Sequence, residues 1–500
     1  MRSRIVTGVL MGLLAALSIA ARLSAQEKPE PEQPGSALTF KTLFTFDNAD
    51  GAEPSTALVQ GTDGNLYGTA YTGGLYNQGT IFKITPGGTL TTLYNFCAET
   101  NCPDGDGPEA ALTLGTDGNF YGTTYFGGVN ADACRAGCGV VFKITPAGAM
   151  TTLYSFCAQP GCADGAAPGA LVQGSDGNFY GVTEQGGSAN CVNTCGTVFK
   201  ITPAGVLTTL HKFTGAHLGG YSPDHFQRLV QGTDGNFYGT TLFGGAGTRC
   251  FGSCGTVFRI TPEGALTILY NFQGGAGESQ NPGGDLIQAA DGNFYGTAGG
   301  GYVGPNCVDY CGTIFKMTPE GVVTTLVSLH NNQGAGPVGL IQATDGNFYG
   351  AADSGGLYLN HGTIFELTPE GVLTVLYNFR YHSGGYLPFS GVVQATNGTF
   401  YGDTETSYTG DGVIYSLSTG LGPFVKPVPT AGTIGTTVKI LGNNLKFATS
   451  VAFNGVAASF TAESSTYIEA TVPTGTTTGL IQVTLPTGTL TSNVNFQVLP

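Results

Sequence analysis

Twelve cysteines in six close pairs are the most concentrated reactive chemistry in this 500-residue chain. Cys134/Cys138, Cys191/Cys195, Cys250/Cys254 and Cys307/Cys311 are separated by three residues, Cys97/Cys102 and Cys157/Cys162 by four. An even count behind an export signal predicts disulfides within the pairs. A metal thiolate would use the same atoms, but the usual spacing and accompanying histidines are missing. Of the six histidines only His217 and His225 share an interstrand loop, where a carboxylate would complete a metal site. Asp104-Gly105-Asp106-Gly107 with Glu109 has calcium-loop composition without the full EF-hand spacing. No nucleophile elbow, H-E-x-x-H motif or phosphate-binding glycine motif occurs. The ligand-binding candidates are therefore charges at positions that do not recur between repeats: Arg228, Asp285, Glu184, Asp353 and Glu405. A solvated loop charge is the competing reading for each.

What must position these residues is a repeat. The hexapeptide DGN-[FL]-YG begins at Asp63, Asp117, Asp176, Asp234, Asp291 and Asp345 and degenerates to NGTFYG at Asn397. Self-similarity at a spacing of roughly 50–60 residues means stacked supersecondary units. Each period holds four strand-like runs, typified by Ala57–Gln60, Asn236–Thr241, Gly196–Ile201 and Leu90–Phe96. β-branched and aromatic residues bounded by Gly, Asp and Pro are the strand signature. Asp-Gly and Thr-Pro-x-Gly supply the tight turns between them. Four antiparallel strands repeated radially make a β-propeller blade, so the chain reads as seven blades. The seventh repeat has its third strand at Gly412–Leu417 but lacks a fourth, while an unpaired copy, Phe40–Phe46, precedes the first. That segment is expected to close the ring as the outermost strand of the last blade.

The loops between second and third strands, and between blades, emerge on one face and carry all six cysteine pairs; the short turns lie on the other. Arg228 and Asp285 begin innermost strands near the channel mouth on the looped face, and Glu184, Asp353 and Glu405 follow second strands. Binding residues belong preferentially on loops held by a rigid scaffold. The recurring Asp of DGN reads as turn chemistry rather than a calcium ligand. The recurring tyrosines (Tyr67, Tyr121, Tyr180, Tyr238, Tyr295, Tyr349, Tyr401) read as packing between blades rather than a sugar-stacking array. Gln60, Gln173, Gln231, Gln288, Gln342 and Gln394, with Leu114 in the second blade, read as a structural hydrogen-bond ring rather than a ligand ring.

The string DGNFYG…GTVFKITP…LTTLYNF resembles the GloVer-type tandem repeat of exported bacterial proteins with varied anchors, over about residues 37–418. The resemblance assigns no reaction. Beyond the Gly420–Pro423 linker, PVPTAGTIGTTVKILGNNL, VAFNGVAASF, YIEATVPTG, LIQVTLPTG and VNFQVL resemble an IPT/TIG immunoglobulin-like domain. The resemblance implies a module that mostly spaces or binds.

Composition agrees with an all-β chain. Eighty-two glycines exclude a helical bundle, and 41% hydrophobic residues permit a packed core. A net charge of -15 disfavours nucleic acid and anionic lipid as partners. Arg2 and Arg4, the apolar run Ile5–Ala21 and Leu23-Ser24-Ala25 before Gln26 form a signal peptide; the competing membrane anchor is short and closed by Arg22. The expected organisation is a signal peptide at 1–25, a Pro/Glu-rich linker at 26–36, a seven-bladed propeller at 37–420 and an Ig-like sandwich at 421–500, a separate body beyond the ring. The expected product is an exported monomer (secreted, periplasmic or at the cell surface) with no transmembrane segment in the mature chain and no cofactor. Its expected role is non-enzymatic binding of an extracellular glycan or protein. A glycan-active or streptogramin-lyase-like propeller enzyme and a structural envelope component are the alternatives. Against the lyase, Tyr replaces its Trp position and no histidine recurs at a transferable position.

Overall fold

The computed structural model describes residues 38–499 except 55, 131–133, 135–136, 189–194, 215–222, 224–227, 247–253, 275–279, 300–310, 359–360, 382–384 and 408–409. The segments expected to be a signal peptide and a Pro/Glu-rich linker, and both His217 and His225, lie outside the described residues. No helix among the described residues is long and apolar enough to cross a membrane.

Seven antiparallel sheets form the propeller and two more the Ig-like sandwich. The first blade shows the plan, with strands Val59–Gln60, Leu66–Ala70, Thr80–Ile84 and Leu90–Asn95 paired in that order. Second and third strands are almost wholly buried, whereas the fourth is half-buried, as expected of the outer edge. The turns follow their chemistry. Gly64 adopts φ +79°, and its N–H reaches the Gly61 carbonyl at 3.1 Å. The Asp63 carboxylate accepts the Asn65 backbone N–H, the Asn65 amide and the Tyr67 hydroxyl at 3.1, 2.6 and 2.8 Å. The same three contacts recur at Asp117, Asp176, Asp234, Asp291 and Asp345. Each Asp thus holds its own hairpin, and Asp117, Asp176 and Asp291 also pair with Lys143, Lys200 and Lys316 of the third strand.

The tyrosine so anchored stacks on the next blade. Tyr67 meets Phe120 at 4.0 Å between centroids, Tyr121 meets Phe179 at 3.9 Å, and the series runs on to Tyr349 and Phe400 at 4.3 Å. At the closure Tyr401 meets Leu66, the one leucine in the aromatic slot of the motif, in a shared cluster with Phe46. Gly68 follows Tyr67 because a Cβ there would approach Phe82 and Leu58 to 2.7 and 2.8 Å. The packing of blade on blade therefore comes from one repeated hexapeptide.

Closure occurs as the unpaired N-terminal copy predicts. Thr39–Thr45 pairs antiparallel with Val413–Ser418 as the fourth strand of the last blade. It even reproduces the bulge of the other outer strands: the register skips Leu43, as it skips Leu93 in the first blade. Phe40 stacks on Tyr377 at 3.7 Å and 3°, tying the closing strand to the preceding blade.

The Ig-like sheets pack around Val438, Ile440, Phe453, Ile468, Val483 and Phe496. The sandwich follows the ring in sequence, but it is not a separate body. Leu441 is buried in one cluster with Tyr67 and Leu114, and Val428 and Tyr467 pack against that cluster. Thr466 Oγ1 donates to the Thr62 carbonyl at 2.6 Å, Asn443 Nδ2 to Thr396 Oγ1 at 3.1 Å, and Gln497 Nε2 to the Thr233 carbonyl. All three propeller partners sit beside hairpin turns joining first and second strands. The sandwich is docked on the turn face, and the looped face is the opposite one.

Candidate functional site

The three cysteine pairs whose members are all described are disulfides: Cys97–Cys102, Cys134–Cys138 and Cys157–Cys162. Cys195, Cys254 and Cys311 are also disulfide-bonded, while Cys191, Cys250 and Cys307 lie outside the described residues. The Cys134 and Cys157 sulfurs lie 3.4 Å apart, so two bridges abut between a second-to-third-strand loop and the following interblade loop. These four cysteines are the one cluster of metal-ligating type found among the described residues, and their sulfurs are consumed in two bridges. The acidic residues beside the first bridge serve the loop. Asp104 accepts the Tyr94 hydroxyl and the Cys97 N–H at 2.9 and 3.0 Å, and Asp164 repeats the arrangement with Tyr154 and Ala158.

On the looped face the residue after the GTT-like end of the second strand occupies one slot in every blade: Tyr71, Tyr125, Glu184, Leu242, Gly299, Asp353 and Glu405. In the third and sixth blades the strand extends to include it, Phe179–Gln185 and Phe348–Ser354, so Glu184 and Asp353 lie within strands rather than after them. The Tyr125 hydroxyl donates to Glu184 at 2.7 Å and accepts from Gln185 at 3.2 Å. Glu405 is half-buried, and its carboxyl is raised above the ordinary range by burial and then by the charges of Glu53 and Glu109. Burial, and then Glu109, Asp106 and Glu53, likewise raise the Tyr71 hydroxyl. Asp353 is pushed up to about 6 by burial, opposed by a hydrogen bond from Ser354. Thus Glu184 and Glu405 join one acidic and phenolic neighbourhood at the blade 7–1–2–3 side. Asp353 stands in the same slot on blade 6.

Sequence reasoning passed over Tyr71, Tyr125 and Glu53, and considered Glu109 only for calcium. The slot comparison across repeats would have found the two tyrosines, because it needs only alignment on YG. Asp403 was also missed. It replaces Thr69, Thr123, Thr240 and Thr297 of other blades and is fully buried, accepting the Ser390 hydroxyl at 2.7 Å. Burial raises its carboxyl well above the ordinary range.

Arg228 and Asp285 occupy equivalent positions before adjacent innermost strands, and the fold brings them together: Asp285 Oδ1 accepts the Arg228 backbone N–H at 2.6 Å. Burial raises the Asp285 carboxyl, and the Arg228 charge opposes that shift. Arg228, expected at the channel mouth on the looped face, instead lines a cavity of about 210 Å³ between the inner strands of the first four blades and the Lys426–Ala431 segment of the sandwich, because that segment closes the channel from the turn face. Lys426, unweighed in the sequence, lines the same cavity.

The glutamines form a structural ring. Gln173 takes the Thr116 N–H of the preceding blade at 2.9 Å and donates to its own Gly177 carbonyl at 3.0 Å. Gln231, Gln288, Gln342 and Gln394 repeat the interblade bond. Leu114 breaks the series where Leu441 of the sandwich docks.

A family model described as the Gloeobacter/Verrucomicrobia repeat matches residues 33–225, 129–307 and 306–439, and the IPT/TIG domain model matches residues 425–498. No curated protein matches the chain. Among solved structures, similarity extends to a proposed gluconolactonase (12% identity, 78% of this chain, 94% of that one, TM-score 0.38). It extends also to PorZ, a surface component of the type-IX secretion system of Porphyromonas gingivalis (12%, 89%, 59%, 0.43). A third is an auxiliary nutrient binding protein from Bacteroides thetaiotaomicron VPI-5482 (12%, 61%, 68%, 0.38).

Proposed function

The chain belongs to the Gloeobacter/Verrucomicrobia repeat family, and on that premise we propose that it is an exported, non-enzymatic binding or cell-surface interaction protein whose ligand contacts the disulfide-stapled loop face. The observation that carries this reading is the docking of the sandwich on the turn face through Thr62, Leu114 and Thr396. One end of the ring is committed to an intramolecular contact, and the other presents stapled loops and the variable slot. Bridges that hold glycine-rich loops in one shape lower the ordering cost of binding.

The slot chemistry suits a hydroxyl-rich ligand. Tyr71 and Tyr125 offer aromatic faces and phenols, while Glu184, Glu405, Glu53 and Glu109 offer acceptors to sugar hydroxyls. The same carboxylates disfavour an anionic ligand at this mouth. The runner-up is an enzyme, favoured by the raised carboxyls of Glu405 and Asp353, since a general acid needs a proton near neutral pH.

Mature protein on an extracellular glycan array, with a parallel hydrolysis and lyase screen, separates the readings. Retention of neutral glycans without turnover, weakened by Glu184→Ala or Glu405→Ala and by reduction of the disulfides, is the expected result. Turnover would replace the binding role with the enzymatic one. Absence of glycan binding, together with indifference of every captured partner to reduction, would remove the loop face from the proposal.

A further inference from the structure

The channel end closed by the sandwich holds two cations and no described carboxylate among its lining residues. Arg228 enters from the fourth blade and Lys426 from the first strand of the sandwich, both lining the cavity of about 210 Å³. Arg228 Nε is enclosed without a hydrogen-bond partner. No described residue forms an ion pair with Lys426. Burial lowers its ammonium, and the positive charge of Arg228 lowers it further, so the two cations sense each other. Asp285 accepts the Arg228 backbone N–H but does not line the cavity.

The remaining lining is apolar or already engaged. Val59, Leu112, Val172 and Leu441 form dry walls. The Gln60, Gln173 and Gln231 amides are occupied in the interblade ring. Two like charges sharing one cavity, with no carboxylate among its lining residues and Asp285 acting on Arg228 from outside it, are costly unless an anion meets them. One water needs only ~10–15 Å³ of such space. A bound oxyanion would receive a charge-assisted bond from each cation.

We propose that this cavity is a binding site for a small oxyanion, a carboxylate or sulfate, built jointly by Arg228 of the propeller and Lys426 of the sandwich. Occupancy ties the two domains together, because each contributes one of the two charges. The inference does not rest on the loop-face reading and would survive its failure, since the site belongs to the opposite end of the channel.

The test titrates the full mature chain with sodium glucuronate, sodium sulfate and, at matched ionic strength, glucose with sodium chloride, following melting temperature and heat of binding. Wild type should show a saturable rise in melting temperature with at least one oxyanion and none with glucose. Lys426→Met and Arg228→Gln should each weaken that response by about tenfold or more, whereas Lys446→Met, on an exposed lysine of the sandwich, should leave it unchanged. Sulfate stabilises proteins generally by exclusion from their surface, so only the difference between wild type and variant counts. Because Lys426→Met removes one of two like charges from a partly buried site, its anion-free melting point should equal or exceed that of wild type; Arg228→Gln is the second variant should it fail to fold. A response to glucuronate alone assigns a carboxylate ligand, and one to sulfate alone an inorganic oxyanion. A saturable response retained in both variants, or no saturable response in wild type, overturns the site.

Discussion

Gln60 of the first blade and Thr396 of the last hold each other by two hydrogen bonds: the Gln60 carbonyl accepts the Thr396 backbone N–H at 2.9 Å, and its amide donates to Thr396 Oγ1 at 3.1 Å. Both residues are buried. This pair carries the series of glutamine bonds across the seam where the first and last blades meet. Gln60→Met keeps most of the volume but leaves the Thr396 N–H unpaired, which should cost about 1–3 kcal/mol. Gln288→Met, at a more exposed member of the ring, should cost less. Urea denaturation of both variants measures the difference, and equal costs would show that the seam is not special.

The closing strand should matter to the whole ring. Phe46 is buried with Leu58, Leu66 and Phe82, so Phe46→Ala is expected to lose about 3–5 kcal/mol. Deleting residues 40–46 exposes the outer edge of the last blade along its full length. Calorimetry should show the entire propeller melting earlier. A deletion variant that melts like wild type would refute the closure.

Leu114 is the position where the glutamine ring yields to domain docking. Leu114→Gln restores the repeat's own residue yet places an amide against Leu441, Val428 and Tyr467. It should loosen the sandwich by about 1–3 kcal/mol while leaving the propeller folded. Proteolysis between Ser418 and Lys426 should accelerate, and the melting transition should broaden or divide. An unchanged cleavage rate would place the docking energy elsewhere.

Asp353 gives a pH signature with a defined sign. Its carboxyl titrates near about 6 in the fold against an ordinary value of 3.8. A raised acid binds its proton more tightly when folded, so its contribution is fully present below about pH 4. That contribution is lost as pH rises through 6. Asp353→Asn should therefore stabilise the protein above pH 6, by about 1–3 kcal/mol, and hardly at all below pH 4. Melting temperatures of wild type and variant from pH 3 to 8 would reveal the convergence, and parallel curves would contradict it.

The seven-fold count, the strand order within a blade, the Asp–Asn–Tyr hairpin and the N-terminal closing strand were all legible in the amino-acid order. Each is set within a few residues or by exact repetition: Asp63 needs only Asn65 and Tyr67, and Phe40–Phe46 is recognised because it copies Leu90–Phe96. Identical local instructions must be met identically, so periodicity alone determines them. The site was legible only in fragments. Glu184, Asp353 and Glu405 were visible as charges out of pattern, but the company of Glu184 and Glu405 (Tyr125, Glu53 and Glu109) comes from different blades brought to one mouth by ring geometry. The docking of the sandwich was not legible at all. Leu114 differs from its ring by one side chain, and Lys426 is a single cation in a short strand; neither names its partner. Their meaning depends on contacts between residues roughly 200 to 330 positions apart, which is why tertiary structure alone set Leu114 against Leu441 and Lys426 beside Arg228.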